Sequence, residues 1–240
     1  MRIFNWANIR LVLMIGVVLF LFSFTSKRNG NRKLTKSVVV FVGNNTLFLK
    51  RETVNKLLIE NNENASSIRK DKLALNRLER ILSSNNMIEK SDVFVSIDGV
   101  LKAVVKQKTP IARVFNGNSS FYIDYEGGEM PLSDNFAARV PLVSGTINEK
   151  NNEKLVQLLR VIYDDDFLKK NIVAIQIMPS GSLKMFNRNF DYQINFGGTA
   201  NFEEKFKDYK AFFQKAVLDS SLYKYKKIDL RFTKQVVCTK

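Results

Sequence analysis

The sequence predicts an α+β protein held by one N-terminal transmembrane helix, and three observations support this prediction. An uncharged apolar run occupies residues 11–25, near the start of the 240-residue chain. Residues 37–108 show the pattern of a strand, two amphipathic helices and two further strands. Residues 109–240 contain many short strand-like segments and only two long helical patterns. Together they predict a β-α-α-β-β unit followed by a mostly antiparallel β domain with two packed helices.

The apolar run is the predicted membrane anchor. Extended back through its N-terminal flank, the run reaches the roughly 20 residues that a spanning helix needs, and we place the transmembrane helix at residues 9–25. The residues expected to anchor the helix in lipid are Leu11, Ile15, Val18 and Phe22. A cleaved signal peptide is the alternative, but no small-x-small cleavage pattern follows the run. More basic residues follow the run than precede it, so a simple count under the positive-inside rule would keep the C-terminal part in the cytoplasm. The rule weakens when a long domain follows the segment, so charge alone does not decide on which side the bulk of the chain lies.

The composition favours a binding protein over an enzyme. The net charge is +15, but the lysines are scattered among many asparagines and form no compact basic block with interleaved aromatic residues, so we expect no nucleic-acid partner. Histidine is absent, which removes most metal sites and the commonest general base near neutral pH. The single cysteine, Cys238, has no partner for an internal disulfide and no histidine to activate it.

The β-α-α-β-β unit is predicted from the periodic spacing of its apolar residues and from its turn residues. A polar linker is expected at residues 26–36, and a β-branched run at residues 38–42 predicts the first strand, closed by a turn at 43–45. Asp98-Gly99 is a strong hairpin signal between the last two strands. The remaining expected elements are helices at about 50–60 and 70–84, separated by a polar break at 61–67, and strands at 93–97 and 100–105.

The second half begins at Pro110, since proline forces extended geometry on the residue before it. A Gly-Gly turn is expected at residues 125–129. The predicted strands cover residues 111–115, 120–124, 140–144, 172–178, 182–186 and 192–196, and the two predicted helices cover 153–163 and 202–217. The last strand is predicted at residues 227–232 and is expected to continue toward Val237.

No group of residues predicts catalysis. The acidic cluster Asp164, Asp165 and Asp166 is expected to be a solvated loop, because three adjacent residues at a helix end cannot all face one metal ion. Glu126 and Glu129 flank the Gly-Gly turn, and nothing fixes the separation that a pair of catalytic carboxylates needs. We therefore expect neither a cofactor nor a small-molecule substrate.

The last predicted strand is the better functional candidate. A strand at a chain end tends to lie at a sheet edge, where unpaired N–H and C=O groups can accept a strand from another protein. The side chains expected to contact that partner are Tyr225, Ile228, Leu230, Phe232 and Val236. Charged substitutions at Leu230 and Phe232 are then expected to abolish binding and leave the fold intact. A terminal strand that pairs only internally is the open alternative.

Six segments, in this order, resemble the FtsQ/DivIB family of bacterial cell-division proteins. VVVFVGN resembles the opening strand and turn of that family's POTRA module, and VVKQKTPIARV resembles its passage into the β domain. The order and spacing agree over nearly the whole chain. The segments are VVVFVGN (38–44), NNMIEKSDVFV (85–95), VVKQKTPIARV (104–114), YIDYEGGEMPLS (122–133), VPLVSG (140–145) and IDLRF (228–232).

The resemblance implies a domain layout and a function. It implies a cytoplasmic tail (1–8), the membrane helix (9–25), a linker (26–36), a POTRA-like domain (37–108) and an FtsQ-type β domain (109–240). The bulk of the chain would lie in the periplasm of a single-pass protein of the cytoplasmic (inner) membrane, enriched at the division septum.

As a family member, it would be a non-enzymatic scaffold that binds the division proteins FtsB and FtsL and helps to regulate septal peptidoglycan synthases. The resemblance places partner binding on the last strand and recruitment on the POTRA-like domain. A POTRA-containing protein of outer-membrane assembly or protein secretion is the alternative function, and a membrane-tethered cell-wall enzyme is a further alternative.

Overall fold

The computed structural model describes residues 6–30, 33–43, 46–59, 73–117, 119–147, 149–232 and 235–240. The chain divides into two compact units, Met1–Gln107 and Lys108–Lys240. An apolar helix begins the first unit, and both units contain helices and strands in irregular alternation. The predicted α+β class with an N-terminal apolar helix is confirmed.

The N-terminal helix, α1, spans Trp6–Gly30. Its segment Asn8–Arg28 is long and apolar enough to cross a membrane, because 21 residues at about 1.5 Å each match a hydrocarbon layer of about 30 Å. The predicted linker at residues 26–36 is wrong in part. Residues 26–30 continue the helix, whose last turn holds Lys27 and Arg28, and cations are favoured at that end by the helix dipole. Leu34, also in the predicted linker, is a buried core residue.

The described residues of the first unit beyond α1 form a three-stranded sheet with two helices. Its elements are β1 (Lys36–Val42), α2 (Arg51–Leu58), α3 (Leu75–Ser83), β2 (Ile88–Val95) and β3 (Val100–Gln107). The strand order is β1-β3-β2, with β1 parallel and β2 antiparallel to β3. The expected turn at 44–45, the polar break at 61–67 and the ends of both predicted helices at 60 and 70–72 lie outside the described residues.

Strand β2 begins five residues earlier than the predicted strand at 93–97. The early part was missed because Ser91 is polar, although it points inward and is almost fully buried. Its hydroxyl lies 3.1 Å from the Ser83 hydroxyl on α3, and this contact satisfies the buried group. The Asp98-Gly99 turn is present, since Ser96 N donates to the carbonyl of Val100.

The second unit is built on one mixed sheet. Its strands are β4 (Pro110–Asn116), β5 (Ser119–Asp124), β6 (Glu129–Met130), β7 (Leu142–Ser144), β8 (Ile172–Ile177), β9 (Leu183–Asn187), β10 (Gln193–Gly197), β11 (Lys227–Asp229) and β12 (Val237–Thr239). Within the described residues the order is β12-β11-β10-β9-β8-β7-β4-β5-β6. Of the eight neighbouring pairs, five are antiparallel and three parallel, so the sheet is mostly antiparallel as predicted.

Among the described residues, three α-helices accompany this sheet, α4 (Glu149–Asp164), α5 (Asp166–Asn171) and α6 (Phe202–Leu218), with a 3-10 helix at Ser221–Lys224 after α6. The short helix α5 corrects the prediction of a solvated loop at the three aspartates. Asp165 is the N-cap of α5, where its carboxylate accepts the amide of Leu168 at 2.9 Å and pairs with Lys210 of α6. Asp164 accepts the hydroxyl of Tyr125 at 2.8 Å. The acidic cluster therefore joins helices and a turn.

Candidate partner-binding edge

The C-terminal end of the chain folds as a hairpin on the edge of the large sheet. Strand β11 pairs in parallel with β10, placing Ile228 opposite Ile194, and in antiparallel with β12, placing Ile228 opposite Cys238. In the strand order of the described residues, β12 is the outermost strand on this side. The outer backbone of β12 is therefore the edge at which a further strand can pair.

This arrangement corrects the prediction of one continuous strand from residue 227 toward Val237. Strand β11 ends at Asp229, and the chain returns as the separate strand β12. The reason is local: Asp229 Oδ1 accepts the backbone N–H of Arg231 at 3.0 Å, which bends the chain away from extended geometry. The predicted last strand is thus the neighbour of the edge strand.

The five side chains predicted to contact a partner occupy different environments. Ile228 and Leu230 are buried in the core of the second unit, Leu230 with 2% of its surface exposed. Val236 is half-buried and packs against the same core, and Tyr225 is half-buried with its ring 5.9 Å from that of Phe212. Phe232 is 47% exposed. Among the five, Phe232 presents the largest apolar surface to solvent.

The expectation that charges at Leu230 would leave the fold intact is wrong in physical terms. A charged group at this position would lose its hydration inside an apolar core, and that cost unfolds or rearranges the surroundings. The corresponding expectation for Phe232 stays a prediction, because a half-exposed side chain can be replaced without opening the core.

A bidentate ion pair holds the segment between β11 and Phe232. The Arg231 guanidinium donates through Nε and Nη2 to the two carboxylate oxygens of Asp229, at 2.9 Å and 2.5 Å. Hydrogen bonding by Arg231 lowers the pKa of Asp229, although partial burial opposes the shift. The Arg231 guanidinium also lies 6.0 Å from the Phe232 ring centroid.

Gly197 makes room for this arginine at the end of β10. Its φ of +75° is in the left-handed region, and a Cβ atom there would lie 2.8 Å from Cγ of Arg231. Both the backbone conformation and the space therefore require glycine. Nearby, Lys205 of α6 donates to the carbonyl oxygens of Phe196 and Gly198 at 3.0 Å and 2.8 Å. Burial lowers the pKa of Lys205.

A groove of about 180 Å³ lies beside this segment, and we call it the Phe232 groove. It combines an aromatic wall with acidic and basic groups, which suits the side chains of a peptide. Its lining residues are Ala200, Asn201, Glu204, Lys205, Asp208, Arg231 and Phe232. The arrangement can thus offer a partner backbone pairing at β12 and a side-chain groove at the segment that follows β11. Among the described residues, no cluster of three metal-ligating side chains occurs.

The structure also locates the predicted membrane-anchor residues and the two glutamates at the Gly-Gly turn. The anchor residues Leu11, Ile15, Val18 and Phe22 lie on α1 with their side chains exposed. Glu126 and Glu129 lie on the exposed side of the β5–β6 turn. That turn packs on α4, where Arg160 Nε donates to the carbonyl of Tyr125 at 2.6 Å.

Sequence reasoning missed Asp229, Arg231 and Gly197. The segment IDLRFT carries a weak signal for the pair, because an Asp followed two residues later by an Arg can form a local turn. The approach of Gly197 to Arg231 depends on the pairing of β10 with β11, which joins residues more than 30 positions apart and leaves no local pattern.

Comparisons with known proteins found one matching family model and similar solved structures. A family model described as FtsQ/DivIB, C-terminal related, matches residues 109–239, more than half of the chain. Among solved structures, the chain is similar to the major extracytoplasmic domain of the trans isomer of the bacterial cell division protein DivIB from Geobacillus stearothermophilus. The identity is 14% and the TM-score 0.31, covering 47% of this chain and 95% of that chain. The comparison with curated proteins found no match.

Proposed function

Because this chain belongs to the FtsQ/DivIB, C-terminal related family of cell-division proteins, we propose that it is a non-enzymatic, membrane-anchored scaffold of the division machinery. In this proposal residues 9–25 of α1 cross the cytoplasmic membrane once, with residues 1–8 as a cytoplasmic tail. Residues 37–108 act as a POTRA-like domain and residues 109–240 as an FtsQ-type β domain, both in the periplasm at the division septum.

The proposed partners are the small division proteins FtsB and FtsL. Through them the scaffold would contact the septal peptidoglycan synthases and help to regulate cell-wall synthesis at the septum. We propose no nucleic-acid partner, small-molecule substrate or cofactor.

The observation that carries this proposal is the position of β12 at the outer edge of the large sheet. An edge strand of three residues offers a short row of backbone groups, which alone gives modest affinity. The Phe232 groove is lined in part by Arg231 and Phe232, which follow β11 along the chain, and it adds side-chain contacts. A partner segment that pairs with β12 and places an apolar side chain beside Phe232 would use both features.

The test is co-purification from dividing cells with the protein tagged at its N-terminus. Wild type is compared with Phe232→Glu and with the control Leu218→Glu. Leu218 is 87% exposed at the end of α6 and does not line the Phe232 groove, so it controls for placing a charge on an exposed apolar residue.

We expect wild type and Leu218→Glu to capture the small division proteins and Phe232→Glu to lose them, with all three proteins unfolding at similar temperatures. Equal capture by Phe232→Glu would contradict a contact at this residue. If wild type captures no division protein, the scaffold proposal itself is wrong.

A further inference from the structure

The turn between β2 and β3, residues 96–99, is fixed beside the segment that leaves α1. Thr35 N donates to the carbonyl of Gly99 at 2.9 Å, and the Thr35 hydroxyl donates to the carbonyl of Asp98 at 3.4 Å. Gly99 has a φ of +85°, and the carbonyl oxygen of Lys33 lies 3.2 Å from the position that a Cβ atom would take. The turn and this segment therefore move as one body.

Chain connectivity holds this body close to the end of α1. The helix ends at Gly30, and Leu34 is already buried in the core of the first unit. The four peptide units between them reach at most about 14 Å when fully extended. The headgroup layer on one side of a bilayer is about 5–8 Å thick. If α1 spans the membrane, as the proposed function holds, the β2–β3 turn stays within reach of the bilayer surface.

The turn has an apolar tip. Ile97 is 90% exposed, the most exposed large hydrophobic side chain among the residues that the structure describes. Phe94, on the strand leading into the turn, is also exposed and lies opposite Lys102 in the register of β2 and β3. An apolar side chain held out from a rigid turn can enter the interfacial region of a bilayer, as the apolar face of an interfacial helix does.

Basic residues surround this tip. Lys36 begins β1 opposite Val100, at the end of the sheet that carries the turn, and Lys102 lies two residues further along β3. The one acidic residue in the turn, Asp98, faces these lysines. Hydrogen bonding by the Ser96 side chain lowers the pKa of Asp98, and the charges of Lys102 and Lys36 lower it further. An apolar tip with a basic rim complements a membrane surface that contains anionic lipids.

We propose that the β2–β3 turn rests on the bilayer that holds α1, with Ile97 in the headgroup region and Lys36 and Lys102 against anionic phospholipids. This second attachment restricts rotation of the part of the first unit that follows α1 relative to that helix. The unit is thereby held in a defined orientation to the membrane.

Depth-dependent fluorescence quenching in bilayers tests this proposal, because Trp6 is the single tryptophan in the chain. The full chain with Trp6→Phe and Ile97→Trp is reconstituted in nanodiscs of phosphatidylcholine and phosphatidylglycerol, with and without bromine on the lipid chains. The matched control carries Trp6→Phe and Lys90→Trp. Lys90 is exposed on the same strand pair, about 20 Å from the turn at 3.3 Å per residue.

We expect brominated lipid to quench the tryptophan at position 97 and to shift its emission to the blue, with little effect at position 90. Equal quenching at the two positions would overturn the proposal. Both substitutions replace exposed side chains, so the fold is expected to survive them.

The role of charge is tested by adding Lys36→Gln and Lys102→Gln to the protein with the reporter at position 97. Each lysine near an anionic surface is worth about a five-fold change in an equilibrium constant. The ratio of molecules whose turn contacts the bilayer to molecules whose turn is released should therefore fall by roughly 25-fold in phosphatidylglycerol bilayers. It should change little in pure phosphatidylcholine. Unchanged quenching would overturn the proposed contact with anionic lipid.

Wild-type protein separates this proposal from the membrane anchoring on which it rests. If brominated lipid quenches Trp6 but leaves the tryptophan at position 97 unaffected, α1 is in the bilayer and only the proposed turn contact is wrong. If Trp6 is not quenched, α1 is not in the bilayer, and both the anchoring and the contact are wrong.

Discussion

Leu230 and Phe232 are two residues apart, yet the structure gives them opposite roles, and this difference can be measured. Leu230 is buried in the core of the second unit, whereas Phe232 is 47% exposed beside its groove. Removing a leucine side chain from a packed core costs about 2–5 kcal/mol, because apolar contacts are lost and a cavity remains. Truncating an exposed side chain changes the free energy of unfolding by only about 0.5 kcal/mol or less.

These magnitudes convert into melting temperatures. In a unit of the size of Lys108–Lys240, each kcal/mol of destabilisation lowers Tm by about 4 °C. We therefore expect Leu230→Ala to lower Tm by roughly 10 °C or more. Phe232→Ala should stay within about 2 °C of wild type.

The assay is thermal unfolding of the full chain in detergent, followed by circular dichroism. If Leu230→Ala unfolds at the wild-type temperature, the conclusion that Leu230 packs in the core is wrong. A large drop for Phe232→Ala would mean that this ring belongs to the core and is no surface contact.

Three further predictions concern residues that hold the fold around the site and in the first unit. Gly197→Ala should destabilise the protein by about 1–3 kcal/mol in chemical denaturation, because alanine at a φ of +75° is strained and its Cβ would collide with Arg231; wild-type stability would refute this. The pKa of Asp229 is lowered in the folded protein. Its stabilising effect is therefore fully present above the pKa of the unfolded state, about 3.9, and is lost as the pH falls through the lower pKa of the folded state. Between about pH 5 and pH 2, wild type should therefore lose more stability than Asp229→Asn, and parallel pH profiles would contradict the ion pair. Gln107→Leu should cost about 2–4 kcal/mol, because the buried Gln107 amide accepts the backbone N–H of Leu49 at 3.1 Å and donates to the Leu49 carbonyl at 3.3 Å, and leucine can make neither hydrogen bond; urea unfolding measures the change, and a neutral result would refute it.

The sequence predicted the elements whose stabilising contacts leave a local pattern. The helix expected at 202–217 is present as Phe202–Leu218, because its apolar period and its position after Gly197-Gly198 specify it locally. The Asp98-Gly99 turn is present for a similar reason, since Gly99 supplies the positive φ that the turn requires.

The elements that were missed depend on contacts between distant residues or on short polar signals. Helix α5 is only six residues long and begins at an aspartate cap, so an apolar period cannot reveal it. Leu34 was assigned to a polar linker because one apolar residue among basic neighbours forms no hydrophobic periodicity. In the structure it is buried in the core. The parallel pairing of β10 with β11 joins residues more than 30 positions apart, so β12 could not be recognised as the edge strand from local sequence.

Photocrosslinking in dividing cells tests directly whether a division protein binds at the C-terminal edge of the sheet. A photoreactive amino acid is placed at Val237 on β12, which is 41% exposed, and for comparison at Glu129 on β6, the exposed residue at the opposite edge of the sheet. We expect a crosslink to a small division protein from position 237 and none from position 129. A crosslink from position 129 alone, or none from position 237, would contradict partner binding at the C-terminal edge.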